Sequence, residues 1–305
     1  MTADRPFLGI LLMLGFCVLA PLGDSIAKLL GGVVSLGVLL FARFAIQTLL
    51  LAPIVAFSDR SLRVPRRMLL LTLLRACLHI VGIALMFLSL RYLPLADAIA
   101  IAFVMPFIML LLGHTVLGEV VGPQRLAACC VGFVGTLLVI QPNFVDVGWP
   151  ALLPLGVAVI FALFMLVTRQ IAKEIDPITL QTLNGCQATL ILGVAWLLLP
   201  GTPMGDMTGG TWALLIGMGV LGTVAHLLMT WSLRFAPAAT LAPMQYLEIP
   251  IGTVIGWLIF SDLPNGLAAL GICITIGAGL YIIVREQRIA RHPTPPAPTT
   301  QSPAP

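Results

Sequence analysis

Charge is what this 305-residue chain has least of. Only 9% of its residues are Asp, Glu, Lys or Arg, and 59% are hydrophobic, whereas soluble domains run about 25% and about 45–50%. A water-soluble body of this length needs far more polar surface to cover its core. Soluble domains, a coiled coil and a disordered chain are therefore excluded. The six cysteines form no Cys-x-x-Cys pair, which removes a zinc ribbon and a disulfide framework. All six lie in apolar runs and read as small packing residues. Enzyme signatures are missing too: no Gly-x-Ser-x-Gly elbow, His-Glu-x-x-His, Walker A lysine loop or Asp-rich metal motif. No metal or cofactor is expected. The net charge of +4 does not point to nucleic acid, because the bases are scattered through short loops.

What the chain has is apolar length. Its mean hydropathy of +1.08 marks a polytopic membrane protein. A crossing helix needs about 20 mostly apolar residues, and such segments lie near 7–30, 35–57, 68–90, 95–115 and 123–141. Five more lie near 150–169, 178–199, 211–233, 237–260 and 266–284. Turn chemistry separates them, as at Gly31-Gly32, Pro94, Gly122-Pro123 and Pro264. The first run continues through Asp24 and Lys28 without an Ala-x-Ala cleavage site, so it reads as a spanning helix and not as a signal peptide.

Ten crossings put both termini on one side. That side collects Arg5, Arg60, Arg63, Arg66, Arg67, Arg125, Arg169, Lys173, Arg234, Arg285, Arg288 and Arg291, and the far side only Arg91. Lys and Arg accumulate in cytoplasmic loops, so both termini are expected in the cytoplasm. The stretch 287–305, rich in Pro and Thr towards its end, is expected to be a disordered cytoplasmic tail.

A shift of 143 residues sets Leu90-Arg91-Tyr92-Leu93-Pro94 on Leu233-Arg234-Phe235-Ala236-Pro237, Gly113 on Gly256 and Glu119 on Asp262. Five crossings separate the matched helices, so the halves enter the membrane from opposite sides. Inverted repeats of this kind place a site at the midplane between them and permit alternating access. The expected units are 1–145 and 146–286.

The stretches Leu90–Glu119 with Gly132–Pro142, and Ala236–Asp262 in the second half, resemble the drug/metabolite transporter superfamily in its ten-helix form of two EamA repeats. Shorter features resemble a subgroup that contains S-adenosylmethionine uptake carriers and share parts with amino-acid exporters and riboflavin carriers. They are Asp24-x-x-x-Lys28, Phe41-x-Arg43-Phe44, Leu74-Arg75-Ala76 and Ala242-Pro243-x-x-Tyr246-Leu247-Glu248. The resemblance implies an all-α membrane protein: ten transmembrane helices as two inverted five-helix repeats around a central cavity, working as a secondary transporter in the bacterial inner membrane.

The embedded charges Asp24, Lys28, Arg43, Arg75 and Glu248 each cost about 2.5–3.5 kcal/mol at a helix centre, so they must face the bundle interior, a partner or water. Asp24 and Lys28, four apart on one helical face, form either a structural ion pair or a pair that opens to bind a zwitterion. Arg75 and His79 also share a face. Glu248 either bridges permanently to Arg75 or alternates between Arg75 or His79 and a proton, which would couple transport to the proton gradient. Glu248 and His79 are thus the proton-coupling candidates. Gln245, three residues before Glu248, completes the expected substrate-binding set of Asp24, Lys28, Arg75, His79, Gln245 and Glu248. His226 is either a second proton group or a packing histidine. Asn184 and Gln187 are either interhelical glue or site residues. Asp97 and His114 are expected to meet water and Arg43 to cap or snorkel outward. Kinks are expected at Pro106, Pro243 and Pro250. The face with Gly271, Gly277 and Gly279 reads as close packing and a candidate homodimer contact.

The expected function is alternating-access transport of a small polar metabolite, an amino acid or a derivative such as S-adenosylmethionine, with riboflavin or another neutral metabolite as the alternative. From other classes, an intramembrane enzyme acting on a lipid and a channel remain open.

Overall fold

The computed structural model describes residues 5–58, 60–117, 122–198 and 207–291, and no strand occurs among them. Its helices are α1 (Pro6–Leu30), α2 (Leu36–Ala56), α3 (Arg66–Ser89), α4 (Leu95–Ala102), α5 (Met105–Leu117) and α6 (Pro123–Val147). After a 3₁₀ turn at Trp149–Leu152 come α7 (Leu153–Ile171), α8 (Pro177–Leu198), α9 (Gly209–Phe235), α10 (Ala238–Leu241), a 3₁₀ segment (Ala242–Leu247), α11 (Glu248–Phe260) and α12 (Gly266–Arg291). Among the described residues, six helices are long and apolar enough to cross a bilayer, and two shorter apolar ones cover Met244–Phe260 and Gly266–Tyr281. Large hydrophobic side chains stand outward on many of them, Leu49, Leu70, Leu190 and Leu258 among others, as a surface solvated by lipid requires. The protein is a multi-pass, all-helical membrane protein.

Helix ends follow local chemistry. Pro6 and Pro123 occupy the first positions of α1 and α6, where a missing N–H costs nothing. The Asp176 carboxylate accepts from the backbone N–H groups of Ile178 and Thr179 and so caps the start of α8. Thr208 caps α9 by accepting from Thr211 N.

Two expected crossings are interrupted. The segment near 95–115 breaks at Phe103-Val104, just before Pro106, into α4 and α5. The segment near 237–260 passes through a 3₁₀ stretch that begins at Ala242-Pro243. Proline removes the intrahelical bond and crowds the preceding turn. Pro250 makes no break, because it is the third residue of α11, where N–H groups have no intrahelical acceptor anyway. Helix α12 also runs to Arg291, past the start at 287 expected of the tail. Residues 292–305 lie outside the described set.

The main helix pairs are α1 with α9, α2 with α8, α3 with α7 and α6 with α12, while α4 lies on α11. Small residues permit the closest approaches. Gly135 on α6 and Gly271 on α12 meet backbone to backbone, so a Cβ at Gly135 would stand 2.6 Å from Gly271 O and 2.5 Å from Thr275 Oγ1. Gly279 seats Tyr246. Gly271 and Gly279 thus pack inside the chain, and of the three glycines on this face Gly277 alone has open space beside it. Gly135→Val is expected to lower stability by about 1–3 kcal/mol, read as a lower unfolding temperature in detergent, whereas Gly277→Ala leaves it unchanged. Of the cysteines, Cys17 and Cys129 are buried, but Cys77, Cys130 and Cys273 are exposed on outward helix faces, so the packing role expected of all six does not extend to those three.

Candidate functional site

A cavity of about 90 Å³ opens in the bundle. Its walls come from α1 (Phe16, Ala20, Gly23, Asp24), α2 (Arg43), α3 (Gly82, Ile83, Met86, Phe87), α4 and the break after it (Ile99, Ala102, Phe103), α5 (Met105), α7 (Val157, Ala158, Phe161), α9 (Met218, Gly222, His226) and α11 (Glu248). Both interrupted segments therefore reach it. Four polar side chains, Asp24, Arg43, His226 and Glu248, face a largely apolar lining. Phe16 and Phe161 are nearly parallel there, with centroids 6.3 Å apart and planes at 15°.

Arg43 is the correction with the largest consequence. It neither caps nor snorkels but is buried in the cavity wall, 2% exposed. Its Nη1 donates to Gln47 Oε1 at 3.0 Å and its Nη2 to His226 Nδ1 at 3.2 Å. Gly222 makes this possible: a Cβ there would collide with the guanidinium at Nε, Cζ and Nη2.

Arg75 and His79 lie behind the cavity. Arg75 is fully buried and donates from Nε to Thr168 Oγ1 at 2.8 Å, from Nη1 to Asn184 Oδ1 at 2.8 Å and from Nη2 to Thr230 Oγ1 at 3.3 Å. Its guanidinium carbon lies 4.5 Å from the centre of the Phe164 ring, a cation–π contact. Arg75 does not bridge to Glu248. On α3 it faces α7, α8 and α9, whereas Glu248 opens α11 and lies towards α1. Alternation of Glu248 between Arg75 or His79 and a proton has no support in this arrangement.

Arginine can only donate, so Asn184 turns Oδ1 to Arg75 and Nδ2 to His79 Nδ1, 3.0 Å away. The His79 ring lies against that of His226, with centroids 4.4 Å apart and planes tilted by 39°. Gln181 donates to Thr230 Oγ1 and to His226 O, and Gln47 donates to Gln181 O at 2.7 Å. Through Arg43 the circuit closes. It joins α2 and α3 to α7, α8 and α9, and apart from His79 Nε2 and His226 Nε2 it satisfies polar groups that would each be costly if left alone in the interior.

The expected Asp24–Lys28 pair is absent. Lys28 Nζ instead meets Asp262 Oδ2 at 2.9 Å and lies 4.6 Å from the Phe260 ring centre, while Asp24 lines the cavity one turn away. Gln245 stands off the cavity, fully buried, with Nε2 on Met165 S at 3.3 Å. Asp97 is buried, 5% exposed, and not in water, because α4 packs against α6, α7 and α11. His114 is exposed. Gln187 binds Thr72 Oγ1 and so ties α8 to α3. The candidate site is thus Asp24, Glu248, Arg43 and His226. The last two were undervalued in the sequence, where the only signal was an arginine deep in an apolar run opposite a glycine-bearing helix.

A membrane-embedded helical bundle enclosing a charged, aromatic-lined cavity, with broken segments meeting at it, has the form of a solute-handling membrane protein. The chain matches the EamA-like transporter family at residues 7–141 and again at 148–285, and it belongs to that family. It is 32% identical over 231 residues to a riboflavin transporter of Rhizobium johnstonii, covering 72% of each chain. It is 26% identical over 269 residues to an S-adenosylmethionine uptake transporter of Rickettsia felis, covering 87% of this chain and 88% of that one. A solved crystal structure superposes with a TM-score of 0.68 over 93% of this chain and 98% of its own, at 18% identity, which establishes the fold alone.

Proposed function

We propose that this protein is a secondary carrier that moves a small metabolite bearing a flat heteroaromatic ring across the bacterial inner membrane by alternating access. Counting α4 with α5, and α10 with α11, as single interrupted crossings yields ten. The helix pairing supports an internal two-fold relation between units 1–145 and 146–286. Advancing each crossing by five turns the pairing of first with eighth into sixth with third, and second with seventh, fourth with ninth and fifth with tenth into themselves. Five crossings per unit make the units inverted, and the one-sided Lys and Arg distribution puts both termini in the cytoplasm.

One observation carries the substrate class: the parallel pair Phe16 and Phe161 beside Asp24, Arg43, His226 and Glu248. Sandwiching a flat ring needs roughly 7 Å between aromatic planes, twice a carbon–carbon contact; the Phe16 and Phe161 centroids stand 6.3 Å apart, so a ring enters by parting the pair slightly or stacks on the cavity face of one of them. The guanidinium, imidazole and two carboxylates among the lining residues offer complements to ring carbonyl and amino groups. Riboflavin and S-adenosylmethionine, the compounds in the relatives' names, both contain a fused nitrogen heterocycle. A free amino acid would leave the aromatic walls unused.

The test is counterflow into liposomes holding the purified protein. Preloaded riboflavin or S-adenosylmethionine is expected to accelerate uptake of the same labelled compound, and methionine alone is not. Exchange of amino acids without exchange of either ring compound would overturn the substrate class, and altered product would indicate an enzyme. Phe161→Ala is expected to raise the KM for the ring compound about tenfold, the scale of one lost stacking partner.

A further inference from the structure

We propose that Lys28 and Asp262 form a latch across the seam between the two units, closing the cavity at the end away from the N-terminus. The inference rests on the carrier reading above and assigns these residues a place in its cycle. Lys28 lies in the last turn of α1 and Asp262 two residues beyond α11, 234 positions apart in the chain and in different repeats. Asp24, one turn deeper on the face of α1 that carries Lys28, lines the cavity. The ion pair therefore stands one turn beyond the cavity's charged wall, at the helix end facing the far side of the membrane.

Its chemistry suits a contact that must open. The side chains are 18% and 35% exposed, so water reaches both ions when they part, and separation strands neither in lipid. A fully buried pair would hold the seam shut, since separating it leaves uncompensated charge. Phe260 adds a cation–π contact at 4.6 Å that holds the ammonium over α11. Ser261, left-handed at φ 58°, ends α11 with a turn that brings Asp262 back towards α1. α1 and α11 meet along this seam, so an opening between them at this end has to break the pair.

The experiment places a reporter cysteine at Ala20, on the cavity wall one turn below Asp24, in a protein whose native cysteines are replaced. A membrane-impermeant methanethiosulfonate is then applied from the far face. Lys28→Ala and Asp262→Ala are each expected to raise the labelling rate roughly two- to fivefold, the scale of a partly exposed ion pair. The exchanged pair, Lys28→Asp with Asp262→Lys, is expected to return it to the parental rate. Unchanged labelling in both single variants overturns the latch, and so does faster labelling that the exchange fails to reverse. Lys28→Arg, which retains charge and reach, guards against misfolding: it is expected to label at the parental rate, and faster labelling in it counts against the latch. Failure of the carrier reading shows separately, as absence of counterflow in the unaltered protein, whatever the labelling rates.

Discussion

Gly222→Ala is expected to reduce counterflow of the ring compound about 10- to 100-fold while the protein stays folded, and Arg43→Ala is expected to do the same. The added methyl group would occupy the space of the Arg43 guanidinium. The backbone of α9 cannot yield, because it packs along α1 and α2, so the arginine must swing out of the cavity wall. The loss corresponds to a charge-assisted hydrogen bond to substrate, about 1.5–3 kcal/mol. Gly217→Ala, on the same helix but with only Ile26 Cδ1 nearby at 3.8 Å, controls for helix effects and is expected to transport normally. If Gly222→Ala transports at the parental rate, Arg43 does not touch the solute.

Glu248→Gln is expected to abolish the extra uptake that an imposed proton gradient drives while leaving counterflow within about twofold. Glutamine retains the shape and an acceptor oxygen but cannot release a proton. Glu248 is the first residue of α11, and it lines the cavity together with Asp24. Emptying and refilling the cavity would then carry the proton with the solute. Equal loss of both activities would make Glu248 a binding or structural group. The same split seen in Asp24→Asn and not in Glu248→Gln would move the proton to Asp24. His79 does not line the cavity and is bonded to Asn184, so Glu248 is the first of the two proton-coupling candidates to test.

The embedded charges show how far the chain can be read without its fold. Asp24 and Lys28 stand four apart, and helical spacing correctly assigns them one face. Spacing within a helix says nothing about what the opposing helix presents, and Asp262 outcompetes Asp24 for the ammonium from 234 residues away. Arg75 and Glu248 look like partners because each is a costly charge near midspan, yet three neutral side chains can dissolve an arginine as well as one carboxylate can. Thr168, Asn184 and Thr230 do so with hydroxyl and amide oxygens, with His79 behind Asn184. Pro106 and Pro243 mark the interruptions, because proline acts on its own helix. Pro250 is harmless because the preceding 3₁₀ segment resets where α11 begins.

Hydropathy, the one-sided basic loops and the repeated Leu-Arg motif suffice to specify an apolar helical bundle with internal duplication, since burial in lipid acts on each segment separately and leaves its mark locally. Which charges face the cavity, which are consumed in the circuit behind it and which join across the seam depend on contacts between distant helices. Those are set by where glycines such as Gly135 and Gly222 let backbones and side chains approach, a property of paired surfaces that no single segment contains.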